Sequence, residues 1–309
     1  MAVPLIVHPL ATEVSPETLR GGVVVVIDLL RATTTLCHAR AACAMEIFPV
    51  VGTDDAMQLA RQLTAENPDR YPPGMIRLGG ERRCLPIPGF DFGNSPRDYT
   101  SESVGGRTLI FSTTNGTRAI RQASAAKLIL CGALVNLEAV ARAALNAMAE
   151  MWKNRDDSAV VHLLCAGAGG IFSDDDWWCA GAIAEKLVRL ATDAVKVTGP
   201  PDSALPSSSG SSSGSLSVSW LEAESTHDCR REWNERFGAF TSVGNIHTAS
   251  VSDGTVGNPL QNAIIAALRD TVAGRLLIDA GLEHDLDDVT RINHLDTVPA
   301  PDPVTGVIR

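Results

Sequence analysis

Three stretches of the chain follow one plan: a short β-branched run, a loop of small or polar residues, then an Ala-rich segment of helical period. "GGVVVVID" leads into "TTTLCHARAACAM", "RTLIFS" into "TTNGTRAIRQA", and "AVVHLLCAG" into "DDDWWCAGAIAEKLVRL". Repeated strand–loop–helix units restrict the fold to the α/β class, with a mainly parallel or mixed sheet covered by helices on both faces. Further strands are expected in "MEIFPVV", "MIRLGG" and "AKLILCGAL". Helices are expected at 54–66 and 136–153, capped by Asp54 and Asn136, and at 175–193, 258–269 and 270–281.

With 309 residues the chain can bury a large core. Its net charge of −10, with no Lys/Arg cluster to offset it, argues against a nucleic-acid partner. No apolar run approaches the roughly 18 to 20 residues of a membrane span. Seven cysteines without a C-x-x-C pair, behind an N-terminus that lacks a signal-peptide pattern, point to a soluble protein of the reducing cytoplasm. Ten serines among residues 199–219 mark that segment as a flexible Ser/Gly/Pro-rich insertion. It separates an α/β body, 1–198, from a C-terminal part, 220–309, expected to complete the same fold.

In a parallel sheet the carboxyl ends of the strands open onto one edge, where loops and helix N-termini meet. The unusual residues of this chain fall at such places. Asp28 and Arg31 follow the first run, with Thr33, Thr34 and Thr35 behind them. "STTNGTR", 112–118, offers the Thr113, Thr114 and Thr117 hydroxyls, Asn115, and Gly116 for a curled anion loop. "GGERRCLPIPGFDFGNSP", 79–96, holds Glu81, Arg82, Asp91, Asn94 and Ser95 in a Gly/Pro-punctuated stretch too polar for a core. "CAGAGGIFSDDD" ends in Asp174, Asp175 and Asp176.

Asp28, Glu81 and the 174–176 acids are hard oxygen ligands without partnering His or thiolate, a set suited to Mg²⁺ or Mn²⁺ and not to zinc. Arg31, Arg82, the threonines and Asn115 form the complementary anion cradle. Acids plus cradle are the equipment of phosphoryl transfer. A D-x-D phosphatase is disfavoured, since Leu30 stands two positions after Asp28. His38 and His162 read as packed histidines. Of Trp177 and Trp178, one is expected in the core and the other at the site edge. His284, Asp285, Asp287, Asp288 and His294 read as a solvated helix face.

Taken in order, "DLLRATTT", "GER…PGFDFGNSP", "TTNGT" and "CAG…FSDDDWWCAG" resemble the 2-phosphosulfolactate phosphatase family. The resemblance implies a three-layer α/β/α fold and Mg²⁺-dependent hydrolysis of a phosphate ester next to a carboxylate, in coenzyme M biosynthesis. It implies 2-phospho-3-sulfolactate, or another phosphorylated 2-hydroxy acid, as substrate. Mg²⁺ would sit on Asp28, Glu81, Asp175 and Asp176. Arg31 and the 113–117 loop would hold phosphate, Thr33, Thr34, Asn94 and Ser95 would bind substrate, and Arg82 would meet the carboxylate or sulfonate. Arg83 and Cys84 depart from the family pattern, which has smaller residues there. Whether Asp28 attacks phosphorus or only binds metal, and whether the chain forms a homo-oligomer, stay open. The rival reading is a non-catalytic binder of a phosphorylated or sulfonated metabolite.

Overall fold

A computed structural model describes residues 2–156, 158–198, 219–241 and 258–309. The strands are β1 (Ala2–His8), β2 (Val23–Ile27), β3 (Glu46–Pro49), β4 (Ile76–Arg82), β5 (Leu85–Pro86), β6 (Thr108–Ser112), β7 (Leu128–Gly132), β8 (Val161–Cys165) and β9 (Ser219–Glu222). The first five helices are α1 (Ala32–Ala41), α2 (Thr53–Glu66), α3 (Ser101–Val104), α4 (Gly116–Gln122) and α5 (Leu137–Lys153). The others are α6 (Asp174–Thr198), α7 (Glu224–Thr241), α8 (Pro259–Asp270), α9 (Val272–Asp279) and α10 (Asp285–Val289).

The α/β class holds, with the strands divided between two sheets. One runs β7-β2-β8-β1-β9 with every neighbouring pair parallel; the other runs β3-β6-β4-β5, parallel except for the β4–β5 pair. β2 is an interior strand buried on both faces, which is why it reads as an unbroken apolar run. Val23, Val25 and Ile27 join one core with Val140 of α5, Ile183 of α6, Trp233 of α7 and Ile264 of α8. Val24 and Val26 face the other way. There they share a second core with Leu36 of α1, Ile120 of α4, and Ile47, Leu109 and Phe111 of the second sheet. α1 and α4 thus fill the core common to the two sheets.

β1, β9 and α7 were not expected from the sequence. β1 carries Pro4 and a terminal His8, β9 is short and follows the serine-rich stretch, and α7 is largely polar. Of the insertion expected at 199–219, residues 199–218 lie outside the described residues, and Ser219 already belongs to β9. The C-terminal part supplies Leu260, Leu277 and Val289 to the first core. Among the described residues no helix is long and apolar enough to cross a membrane. Near the C-terminus the Pro299 carbonyl accepts the Cys131 amide of the first sheet, and Ile308 bridges Ile47 of the second.

Candidate active site

β2 and β8 end on one edge of the first sheet, and β6 brings the loop after Ser112 to the same place. The meeting is close enough that a Cβ on Gly116 would stand 2.8 Å from Asp28 Oδ2 and 2.4 Å from the Ala32 Cβ. Glycine is therefore required there to let α4 approach Asp28.

Four carboxylates are buried at this edge: Asp28, Glu81, Asp175 and Asp176. Asp28 Oδ1 accepts the Ala32 amide at 3.0 Å, in the first turn of α1. Burial raises the Asp28 carboxyl to about 7, with Glu81 and Asp175 pushing the same way and Arg31 opposing. Asp175 is raised to about 6, again by burial first; the Ser173 hydroxyl, which donates to it, pulls back. Burial and the charges of Asp175 and Asp28 raise Asp176 well above the usual carboxylate range. Asp176 is a fastener as well, taking the Leu29 amide at 2.8 Å on one oxygen and the Gly167 amide at 2.9 Å on the other. Glu81 does the same between the Cys84 amide (2.9 Å) and the Thr114 amide (2.8 Å). The acids hold together the loops that surround them.

The two arginines differ. Arg31 is buried, and its Nη1 meets Asp285 Oδ2 at 2.6 Å while Nη2 donates to the Cys84 carbonyl at 3.2 Å. Arg82 spends its guanidinium on the carbonyls of Glu81, Ser112 and Val51 and on the Ser112 hydroxyl. It therefore braces β4 against β6. Arg83 and Cys84 occupy the two-residue turn between β4 and β5 with φ of +54° and +65°. Positive φ at both central positions is the reason smaller residues suit this turn. The turn places both groups of Cys84 in the site, its amide on Glu81 and its carbonyl on Arg31.

The threonines divide too. Thr33 and Thr34 are fully buried and their hydroxyls donate to main-chain carbonyls, Thr33 to Asp28 and Gly132, Thr34 to Leu29. Thr35 likewise donates to the Asn94 carbonyl. These hydroxyls shape the turn, which corrects their expected contact with substrate. In the second loop Thr117 donates to the Thr113 carbonyl at 2.9 Å, and Thr113 Oγ1 accepts the Thr117 amide at 3.2 Å. Asn115 Oδ1 accepts the Gly169 amide at 3.1 Å, tying this loop to the one after β8. Among the described residues Thr114 Oγ1 and Asn94 Oδ1 are buried polar atoms with no hydrogen-bond partner, the kind of group a ligand satisfies. Ser95 faces Asp285, donating to Oδ1 at 2.6 Å.

Asp285 is the residue that sequence reasoning missed. Read as part of a solvated face, it is instead wholly buried, between Arg31 and Ser95. A signal existed: Asp285, Leu286 and Val289 have the helical spacing of an inward face. Trp177 and Trp178 also depart from expectation, since both are buried and both indole N–H groups donate to Glu232. His162 is packed as expected, in β8 and stacked on His8.

Among the described residues no three His, Cys, Asp or Glu side chains already form a metal cage. The chemistry of the donors nevertheless fits a hard cation. Asp28, Glu81 and Asp175 are oxygen donors, and burying like charges together is costly without a counter-charge. Their bonds to amides and hydroxyls leave lone pairs available. Asp176 and Glu81 are each fastened through both oxygens to main-chain amides, which leaves further lone pairs on each carboxylate.

By fold and site this is an α/β protein that gathers buried carboxylates and a buried arginine at one sheet edge. The sequence profile of 2-phosphosulpholactate phosphatase matches residues 9–205. A Symbiobacterium thermophilum protein described as a probable 2-phosphosulfolactate phosphatase is 45% identical over 171 residues, 55% of this chain and 66% of that protein. A Clostridium novyi protein with the same description is 39% identical over 179 residues, 58% of this chain and 68% of its own length. A third, from Caldanaerobacter subterraneus, is 41% identical over 167 residues, 54% of this chain and 62% of its own length. The chain belongs to the 2-phosphosulpholactate phosphatase family.

Proposed function

We propose that the protein hydrolyses the phosphate ester of a small 2-hydroxy acid, with 2-phospho-3-sulfolactate going to 3-sulfolactate and phosphate. The observation that carries this reading is the convergence of Asp28, Glu81 and Asp175 with Arg31 at one buried edge. Family membership supports it.

In the reaction a water oxygen bonds to phosphorus, the bond from phosphorus to the C2 oxygen breaks, and a proton reaches that leaving oxygen. Arg31 supplies positive charge to the phosphoryl oxygens, and the Thr114 hydroxyl supplies a donor with no other partner. Asp28, with a carboxyl near pH 7, is suited to holding and releasing a proton during turnover or to attacking phosphorus itself. Mg²⁺, held by Asp28, Glu81 and Asp175, would supply Lewis-acid polarisation of the phosphoryl group. Since Arg82 is committed to carbonyls, Arg118 replaces it as the group for the substrate's second anion. Arg118 is exposed at the start of α4 and near enough for its charge to act on Arg82.

A role in coenzyme M biosynthesis rests on the family alone. A cytoplasmic location accords with seven free thiols. The test is phosphate release from a panel of phosphorylated 2-hydroxy acids, with Mg²⁺ and with EDTA. Metal-dependent release is expected, strongest with the sulfonated substrate. Binding without release from any of them would establish the non-catalytic alternative. Trapping with labelled substrate then decides the covalent version, which requires the label on Asp28.

A further inference from the structure

Asp285 lies outside the segment matched by the family profile, residues 9–205, yet it touches the one buried arginine of the site. Its two oxygens are divided: Oδ2 accepts from Arg31 and Oδ1 from the Ser95 hydroxyl, each at 2.6 Å, with His284 Nε2 3.3 Å from that same Oδ1. The guanidinium is thereby held at one corner by a carboxylate and at another by the Cys84 carbonyl. Of its five N–H donors, these contacts use two. The helix that carries Asp285 is itself fixed to the same loop as Ser95. Arg97 pairs with Asp288 and donates to the His284 carbonyl at 3.0 Å, while Gln261 holds the Asp287 carbonyl at 2.9 Å.

We propose that Asp285 is a positioning residue: it sets the orientation of Arg31 toward the phosphoryl group and acts on the reaction only through that arginine. This rests on the phosphatase reading for Arg31's ligand. A planar guanidinium has to be aimed, and a misplacement of about 1 Å near a reacting group costs on the order of 100-fold in rate. A wholly buried carboxylate paired at one point and hydrogen-bonded at another has a fixed direction, which a solvated one lacks.

The experiment is a double-mutant cycle of Asp285→Asn and Arg31→Lys in the full chain, read as kcat and KM for phosphate release and as calorimetric affinity for inorganic phosphate. Thermal unfolding reports the folded fraction of each variant. Asp285→Asn is expected to lower kcat per folded molecule roughly 10- to 100-fold. In the Arg31→Lys background it should have little further effect on either readout, and Asp285→Glu should recover part of the loss. Additive losses in the cycle, or a loss explained by the folded fraction alone, would overturn the proposal. If the wild type releases no phosphate from any substrate, the phosphatase reading fails and the calorimetric cycle still judges Asp285. Wild-type protein that binds no phosphate would overturn both Arg31 as an anion ligand and the role of Asp285.

Discussion

The loop after β2 and the end of β4 each carry an acid and an arginine, Asp28 with Arg31 and Glu81 with Arg82, and the two pairs are used in opposite ways. Arg31 is buried against one carboxylate and one carbonyl. Arg82 is wrapped in carbonyls of β4, β6 and the loop after β3. Residue type is the same in both places; what differs is how much hydrogen-bonding capacity the surrounding main chain has already consumed. A side chain serves a ligand only with what its own fold leaves over.

The largest test of that contrast is Asp28→Asn. Phosphate release is expected to fall by at least about 1,000-fold, because both metal binding and any nucleophilic or proton-transfer role need the carboxylate. Removing a buried charge should leave the metal-free protein no less stable. Mg²⁺ should raise the melting temperature of the wild type and fail to raise that of the variant. A variant that keeps most of its activity would move the chemistry away from the β2 edge.

Next come the arginines themselves. Arg31→Lys should reduce kcat/KM by roughly 100-fold, the scale of one lost transition-state donor. Arg82→Gln should instead cost about 1 to 3 kcal/mol of stability in urea denaturation, since several carbonyls lose a charged donor, with KM little changed. The reverse pattern would exchange the two assignments.

The threonines give a finer version. Thr33→Val takes the hydroxyl away from the Asp28 amide and the Gly132 carbonyl, at about 1 to 3 kcal/mol, while the Asp28 carbonyl keeps the Thr33 amide. Thr114→Val removes a hydroxyl with no partner among the described residues, so stability should hold while kcat/KM falls roughly 10-fold. Denaturation curves and kinetics on the same preparations separate the two effects.

The smallest expected effect lies elsewhere in the first sheet, where His8 and His162 share a 2.9 Å hydrogen bond and burial lowers each to about 4 from 6.5. A lowered folded-state value means that the unfolded chain takes the proton more readily. Stability from this pair is therefore complete above about 6.5 and is lost as the pH falls toward about 4. Urea midpoints at several pH values should show that slope, and His162→Gln should flatten it.

Much of this was legible in the sequence, and the rest was hidden for identifiable reasons. β2, β6 and β8 announce themselves because an interior strand needs apolar side chains on both faces. Their division between two sheets does not, since hydrophobic period carries no information about which strand pairs with which. Placing strand ends on one edge brought Asp28 to Asp175 and Asp176; Glu81 was read into an irregular loop and lies instead in β4, because a Gly/Pro-punctuated stretch hides a strand end. The work of Thr33, Thr34 and Arg82 could not be read, because the partners that occupy them are backbone atoms with no residue identity. Asp285 was masked by its own neighbourhood: in a run of acids, only helical phase distinguishes the one that faces inward.

The pairing of Arg31 with Asp285 also has a consequence in time. The two residues are 254 positions apart, so a chain growing from its N-terminus carries the arginine long before its counter-charge exists. At a synthesis rate of about 5 to 20 residues per second, this 254-residue interval lasts roughly 10 to 50 s. Through that interval the nascent chain carries Arg31 without this partner. The contact that fixes the Arg31 guanidinium therefore forms only after residue 285 has been made.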